Sequence, residues 1–236
     1  MNILLEKIRL YFVVLVALIA FKEEARSQQF KYVDVTRFDI GAVKLHMSGK
    51  EVISALQSRF KVPDERTGGN GRSFAWDAKE VIKVDTKGSL FNPERTYISQ
   101  VLYIDSSDFE YIMQLEEGIP AEKNSPPDVV VSIRLEPAGS YLYPTSSSAS
   151  KELFAKAVYE KYGPATMQNV AGTGSAVWCD HGRQKVLPYQ MCSSTFNVPY
   201  MRFVEYSREL VLADPGYFWK VRAARDQISD GKKPRL

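Results

Sequence analysis

Along residues 48–60 apolar side chains return every fourth position, at Val52, Leu56 and Phe60. That spacing lays one stripe along an α-helix. Ser48 precedes the stripe and Glu51 follows three residues later, the pattern of a capping box; Pro63 marks the end. A second stripe, Phe154, Val158 and Tyr162, stops at Gly163-Pro164, a terminal glycine followed by a residue that cannot continue a helix. Ser146-Ser147-Ser148 offers its cap. Period-two or β-branched runs predict strands at Tyr97 to Asp105, Asp128 to Leu135, Tyr200 to Tyr206 and Glu209 to Ala213. The last two, parted only by Ser207-Arg208, predict a hairpin. Val33 to Leu45 reads as an opening strand and turn. The stretch from Ser106 to Pro127 reads as a long connection with one helical turn at Asp108 to Leu115. Asp214-Pro215 opens a final helix, Asp as cap and Pro in the first turn, with apolar positions at Phe218, Val221, Ala224 and Ile228. The basic end from Gly231 to Leu236 predicts a frayed tail.

The pattern repeats. A gapless shift of 102 residues sets Val52, Ala55, Leu56 and Phe60 on Phe154, Ala157, Val158 and Tyr162. It sets Ser73 and Trp76 on Ser175 and Trp178, and Ile98, Val101, Leu102 and Ile104 on Tyr200, Phe203, Val204 and Tyr206. Each helix is followed by a glycine-rich turn, Gly68-Gly69-Asn70-Gly71 and Gly172-Thr173-Gly174, leading to a strand that carries the Trp. Self-similarity of this kind is the mark of a duplicated unit. The expected fold is α+β: two tandem modules, each a helix packed on an antiparallel sheet, plus a C-terminal helix. The first module spans residues 28–137 and the second 138–236, with Ala138 to Ser150 as the hinge.

Residues 1–27 have a different character. Lys7 and Arg9 form a positive start, followed by an apolar run from Leu10 to Phe21. Such a run is too short for a membrane span, which needs about 20 residues, but suits a signal peptide, which needs roughly 7 to 15. Ala25-Arg26-Ser27 places small residues at the −3 and −1 positions, so the mature chain is expected to start at Gln28, in a periplasmic or secreted location. No Cys stands there to take a lipid anchor. Net charge is +3, from 31 basic and 28 acidic residues well mixed along the chain, which gives no sign of a nucleic-acid partner.

An oxidising compartment makes the two cysteines, Cys179 and Cys192, a disulfide candidate. The loop they would close is worth about 3 kcal/mol by chain entropy. Cys179-Asp180-His181 is the tightest cluster of reactive types; a thiolate beside His181 is the catalytic reading, and the disulfide partner argues against it. Cys179, His181 and Cys192 fall one ligand short of a structural zinc site, and His46 is remote. The glycine turns lie between helix and strand and lack the Lys-Ser/Thr of a phosphate loop. Glu116-Glu117, Asp105 with Asp108, and Glu94 read as carboxylates in loops or on solvated faces. No catalytic, cofactor or metal residue is therefore expected. Trp76 and Trp178 are either core residues under each helix or matching surface contacts. Tyr217 and Trp219, with the basic residues around them, are contact candidates for a partner or an anionic membrane surface.

Leu45-His46-Met47-Ser48-Gly49-Lys50-Glu51-Val52, followed by Leu56 and Phe60, resembles the opening of exported helix-plus-sheet modules. These include the β-lactamase inhibitor protein, itself a tandem repeat, and the small outer-membrane lipoprotein of the barrel-assembly machine. His46 stands where those modules have Gly, and the lipoprotein Cys is missing. The resemblance implies a non-enzymatic envelope or secreted protein that acts by binding another protein or an envelope component. The alternative is a secreted hydrolase whose site carries no recognisable motif.

Overall fold

The computed structural model describes residues 33–62, 67–68, 80–92, 94–119, 126–138, 148–168, 174–179 and 198–229. Residues Tyr32–Leu236 form one compact unit. Its elements run β1 (Asp39–Ile40), β2 (Val43–Lys44), α1 (Gly49–Phe60), β3 (Thr67–Gly68), β4 (Ile82–Gly88), β5 (Thr96–Ile104), β6 (Phe109–Glu117) and β7 (Asp128–Pro137). They continue α2 (Ser148–Tyr162), β8 (Met167–Gln168), β9 (Ser175–Cys179), β10 (Tyr200–Val204), β11 (Glu209–Ala213) and α3 (Pro215–Ser229). Among the described residues β3 to β11 make one sheet in the order β3-β4-β5-β6-β7-β11-β10-β9-β8, and β1 and β2 make a small hairpin. Every pairing is antiparallel except β3 with β4.

The fold is thus α+β. One sheet joins the two halves of the chain, because β7 pairs with β6 on one edge and with β11 on the other. Each half runs helix, two-residue strand and three-strand meander, from α1 to β6 and from α2 to β11. Strand β7 is additional to that pattern and lies between the two meanders. Trp76, the turn residues 69–71 and 172–173, Ser146 and Ser147, the first 27 residues and the basic tail lie outside the described residues.

Local chemistry explains the helices. The Ser48 side chain accepts the Glu51 N–H, and the Glu51 carboxylate accepts the Ser48 N–H at 2.7 Å, so the capping box is complete. Helix α1 stops where Lys61 turns left-handed at φ 57°. Gly49 has to be glycine: a Cβ there would meet Ile98 Cδ1 on β5 at 2.7 Å. The Asp128 carboxylate fixes that approach, accepting the Gly49 N–H at 2.6 Å and the Ile98 N–H at 3.0 Å. Helix α2 ends at Gly163, φ +75°, whose carbonyl accepts the Trp178 indole N–H at 3.1 Å. Helix α3 starts on Asp214, which accepts the Tyr217 N–H at 3.1 Å.

The expected helical turn at Asp108 to Leu115 is instead strand β6. The Asp105 carboxylate accepts the N–H groups of Ser107 and Phe109, and Asp108 turns left-handed at φ 62°, which closes a tight hairpin between β5 and β6. Phe109, Tyr111, Met113 and Leu115 then alternate onto one face, a period of two rather than a helical one. Strand β4 went unmarked because only Ile82 and Val84 carry its apolar phase.

Both sheet faces are used. Helices α1 and α2 share one face, where Val52, Leu56, Val101, Met113, Ile133, Val158, Trp178, Phe203 and Leu212 belong to one buried cluster. Helix α3 lies on the other, with Tyr217, Val221 and Ala224 against Ile119, Val129 and Val131. The alternation of Val129, Val130 and Val131 between the two clusters shows β7 feeding both cores. Tyr217 takes the inward place expected of Phe218, which is 38% exposed.

Leu56 and Trp178 are 0% exposed. Truncating such side chains leaves a cavity, so Leu56→Ala should cost about 2–5 kcal/mol and Trp178→Ala about 3–5 kcal/mol in urea unfolding. Lys156→Ala, on the solvent side of α2, should stay within about 0.5 kcal/mol. A Trp178→Ala loss no larger than that of Lys156→Ala would contradict this core.

Candidate functional site

A half-open cleft of about 480 Å³ lies between α1 and α2 on their shared sheet face. Its floor includes Leu135 of β7 and Leu210 of β11, which are register partners across the join between the two meanders. Phe60 and Arg59, at the end of α1, line one side. Phe154, Val158 and Tyr162 of α2 line the other, and the β1–β2 turn closes one end.

That turn is forced. Gly41 and Ala42 both have positive φ, 61° and 71°, as the two central residues of a type I′ hairpin require. A side chain at Gly41 would strike the Tyr111 ring at 2.7 Å. The end of α2 is fastened to the same hairpin. Tyr162 Oη donates to the Asp39 carbonyl at 2.6 Å, and Lys161 Nζ donates to that carbonyl at 2.9 Å and to the Asp39 carboxylate at 2.8 Å.

These bonds set the protonation states. Partial burial works against the Asp39 carboxylate, but the Lys161 hydrogen bond and charge and the Ala42 N–H outweigh it and hold the group below its ordinary value. Burial pushes the Tyr111 and Tyr162 phenols well above theirs, helped by the charges of Asp105 and Asp39 respectively. Both phenols are therefore neutral hydrogen-bond donors at any physiological pH. Among the described residues the lining contains no His, Cys, Ser or Thr, and these residues offer no nucleophile–base pair of the usual kind. What it offers is apolar walls with fixed polar groups at the rim, in a volume within the roughly 300–1,000 Å³ typical of small-molecule sites.

The residues singled out in the sequence fall elsewhere. Trp178 is fully buried beneath α2, within 5.8 Å of the Tyr159 ring, centroid to centroid. Tyr217 is buried against the sheet. Burial removes both from any contact surface. Trp219 is 45% exposed beside Phe218, with the Arg222 guanidinium 5.3 Å from its ring centre. Trp76 lies outside the described residues. Cys179 is buried on β9 and is not a free thiol; His181 and Cys192 lie outside the described residues. Among the described residues no group of three His, Cys, Asp or Glu is placed to hold a metal ion, and no helix is long and apolar enough to cross a membrane.

His46 joins the starts of two helices. Its Nε2 lies 2.7 Å from the Asp214 carboxylate that caps α3, and its backbone N–H donates to the Val130 carbonyl of β7. Burial opposes the Asp214 charge, but hydrogen bonds from His46 and from the Tyr217 and Gly216 N–H groups hold its carboxyl below the usual value. At φ 67°, His46 occupies a conformation that glycine adopts more easily.

The carboxylates also differ from expectation. Glu117 is buried in β6, not solvated in a loop, and its oxygens accept the Ser89 hydroxyl and the Leu90 and Phe91 N–H groups. Glu116 pairs with Arg225 of α3 at 3.1 Å. A pair missed in the sequence is Glu110 and Glu136, register partners across β6 and β7, both buried on the face away from α1 and α2. Burial, then the Glu136 charge, pushes the Glu110 carboxyl up to about 7, against the pull of Lys83 and Arg134. Burial also raises Glu136. Glu110 Oε1 has no hydrogen-bond partner among the described residues. In the structure Glu110 occupies the phase of β6 opposite to Phe109 and Tyr111, a role that the helical turn expected at Asp108 to Leu115 does not reveal.

No family model matches the chain, and neither a curated protein nor a solved structure does.

The Glu110 shift has a definite sign. The folded protein holds this proton up to about 7, whereas the free side chain releases it near 4.5. The resulting stability is complete below the lower value and is lost as pH rises through the higher one. Glu110→Gln should therefore leave stability at about pH 4 nearly unchanged, and raise it at about pH 8 by on the order of 2 kcal/mol. Urea melts at the two pH values measure this. A variant destabilised equally at both would contradict it.

Proposed function

We propose that the protein is an exported, non-enzymatic binding protein whose receiving site is the cleft between α1 and α2. The observation that carries this reading is the cleft itself. Its walls are apolar, and the charges at the β1–β2 turn are tied up in fixed bonds. Such a recess suits recognition more than covalent chemistry. The run from Leu45 to Val52, with its resemblance to exported binding modules, points the same way, as does the signal-like start before Gln28; a Cys179–Cys192 disulfide is part of the proposal. Two copies of one helix-plus-sheet module, spanning 28–137 and 138–236, belong to the proposal. So does peripheral contact with a membrane or envelope partner through the outward-facing Phe218, Trp219 and Arg222 of α3.

A second reading, a secreted hydrolase, draws on Glu110 and Glu136, since two carboxylates with raised protonation can share acid and base roles. Arg134 works against it. It lies 4.0 Å from Glu136 and 3.6 Å from Glu209, and Glu209 in turn lies 3.6 Å from Arg202, which makes an ion network across the sheet.

Expression of the full chain with a C-terminal tag tests the proposal. Protein recovered outside the cytoplasm should begin near Gln28 by mass, block alkylation until reduced, and carry a bound molecule or partner identifiable by mass spectrometry. It should not hydrolyse ester, glycoside or peptide substrates. An intact Met1 form confined to the soluble cytoplasm, or turnover abolished by Glu110→Gln, would overturn it.

A further inference from the structure

Among the described residues, one charge at the mouth of the cleft is not paired. Lys161 is committed to the Asp39 carboxylate, at 2.8 Å, and Tyr162 Oη to the Asp39 carbonyl. Arg59 is exposed at the end of α1, lines the cleft, and makes no ion pair among the described residues. It is close enough to the Tyr111 phenol to favour that group's ionised form, against the buried surroundings. The one carboxylate among the described lining residues, Asp39, is thus already neutralised, and the Arg59 guanidinium remains at the opening.

Behind Arg59 the surfaces are hydrocarbon: Phe60, Phe154, Val158, Leu135 and Leu210. Resting on the binding reading above, we infer that the cleft takes a small molecule with an apolar body and a carboxylate head, the body between the two helices and the head on Arg59. A guanidinium presents parallel N–H groups that match the two oxygens of a carboxylate. An apolar body gains by leaving water for the walls. A cationic head would meet Arg59 with Lys161 nearby and be rejected. A neutral head would gain only the walls.

The test is calorimetric titration of the full mature protein with octanoate, octan-1-ol and octylammonium. Octanoate should bind about tenfold or more tighter than the alcohol, as charge-assisted hydrogen bonds allow, and octylammonium should not bind. Arg59→Gln should bring octanoate down to the level of the alcohol, Arg59→Lys should retain part of the preference, and Ala157→Trp, which fills the mouth from α2, should abolish both. Arg59 and Ala157 are exposed, so these changes leave the core intact. Equal binding of acid and alcohol, unaffected by Arg59→Gln, would overturn the assignment of the head group. If none of the three compounds binds while Ala157→Trp still abolishes capture of a protein partner, the ligand class is wrong and the binding reading survives. If Ala157→Trp affects neither, the cleft is not the site and both fall.

Discussion

Strand β7 has a neighbour on each edge and a hydrophobic core on each face. It bonds to β6 along its full length, from Asp128 opposite Glu117 to Pro137 opposite Phe109, and to β11 from Ser132 to Leu135. The ends of other elements are fixed to it as well. Asp128 caps α1, the Val130 backbone exchanges hydrogen bonds with His46 and Met47, and the Val131 carbonyl accepts the N–H of Asp214, the cap of α3. A strand held in this way cannot shift register without turning Val130 and Ile133 out of one core and Val129 and Val131 out of the other. The starts of α1 and α3 are therefore set by β7.

The cleft follows as well. Because β7 and β11 meet edge to edge, α1 and α2 lie on the same face of one sheet, and the Leu135–Leu210 pair is left beneath the space between them. The β1–β2 hairpin closes that space at one end, and the bonds from Lys161 and Tyr162 to Asp39 anchor it there. These polar contacts are the structural component of the site. Arg59 lines the cleft outside them and is the group we propose for a ligand.

Much of this was legible in the chain. The four-residue spacing of Val52, Leu56 and Phe60, the Ser48–Glu51 box and the Gly163-Pro164 stop each specify a local event, and local events are what a linear sequence encodes most directly. The hairpin around Ser207-Arg208 and the Asp214 cap are of the same kind. The features that escaped depend on partners far along the chain. Strand β6 reads as a helical turn because Ile112 interrupts its alternation, and Asp105 acts on Phe109 only once the hairpin exists. The burial of Glu110 is hidden because nothing near it in sequence covers its sheet face. The cleft combines residues from Asp39 to Leu210, so no spacing could announce it. The duplicated spacing suggests two helix-plus-sheet units, and the apolar run from Asp128 to Leu135 marks the strand between them, but neither tells that this strand pairs with both meanders.

The two meanders form one body joined through β7 and β11 and should unfold cooperatively. Native-state hydrogen exchange of the protein measures this, since amides released only by global unfolding share one opening free energy. The amides bonded between β7 and β11 should open with the same free energy as those between β5 and β6, within about 1 kcal/mol. If the β7–β11 amides instead open together at a free energy several kcal/mol lower, with β5–β6 still protected, the halves are separable modules and the account of the cleft fails.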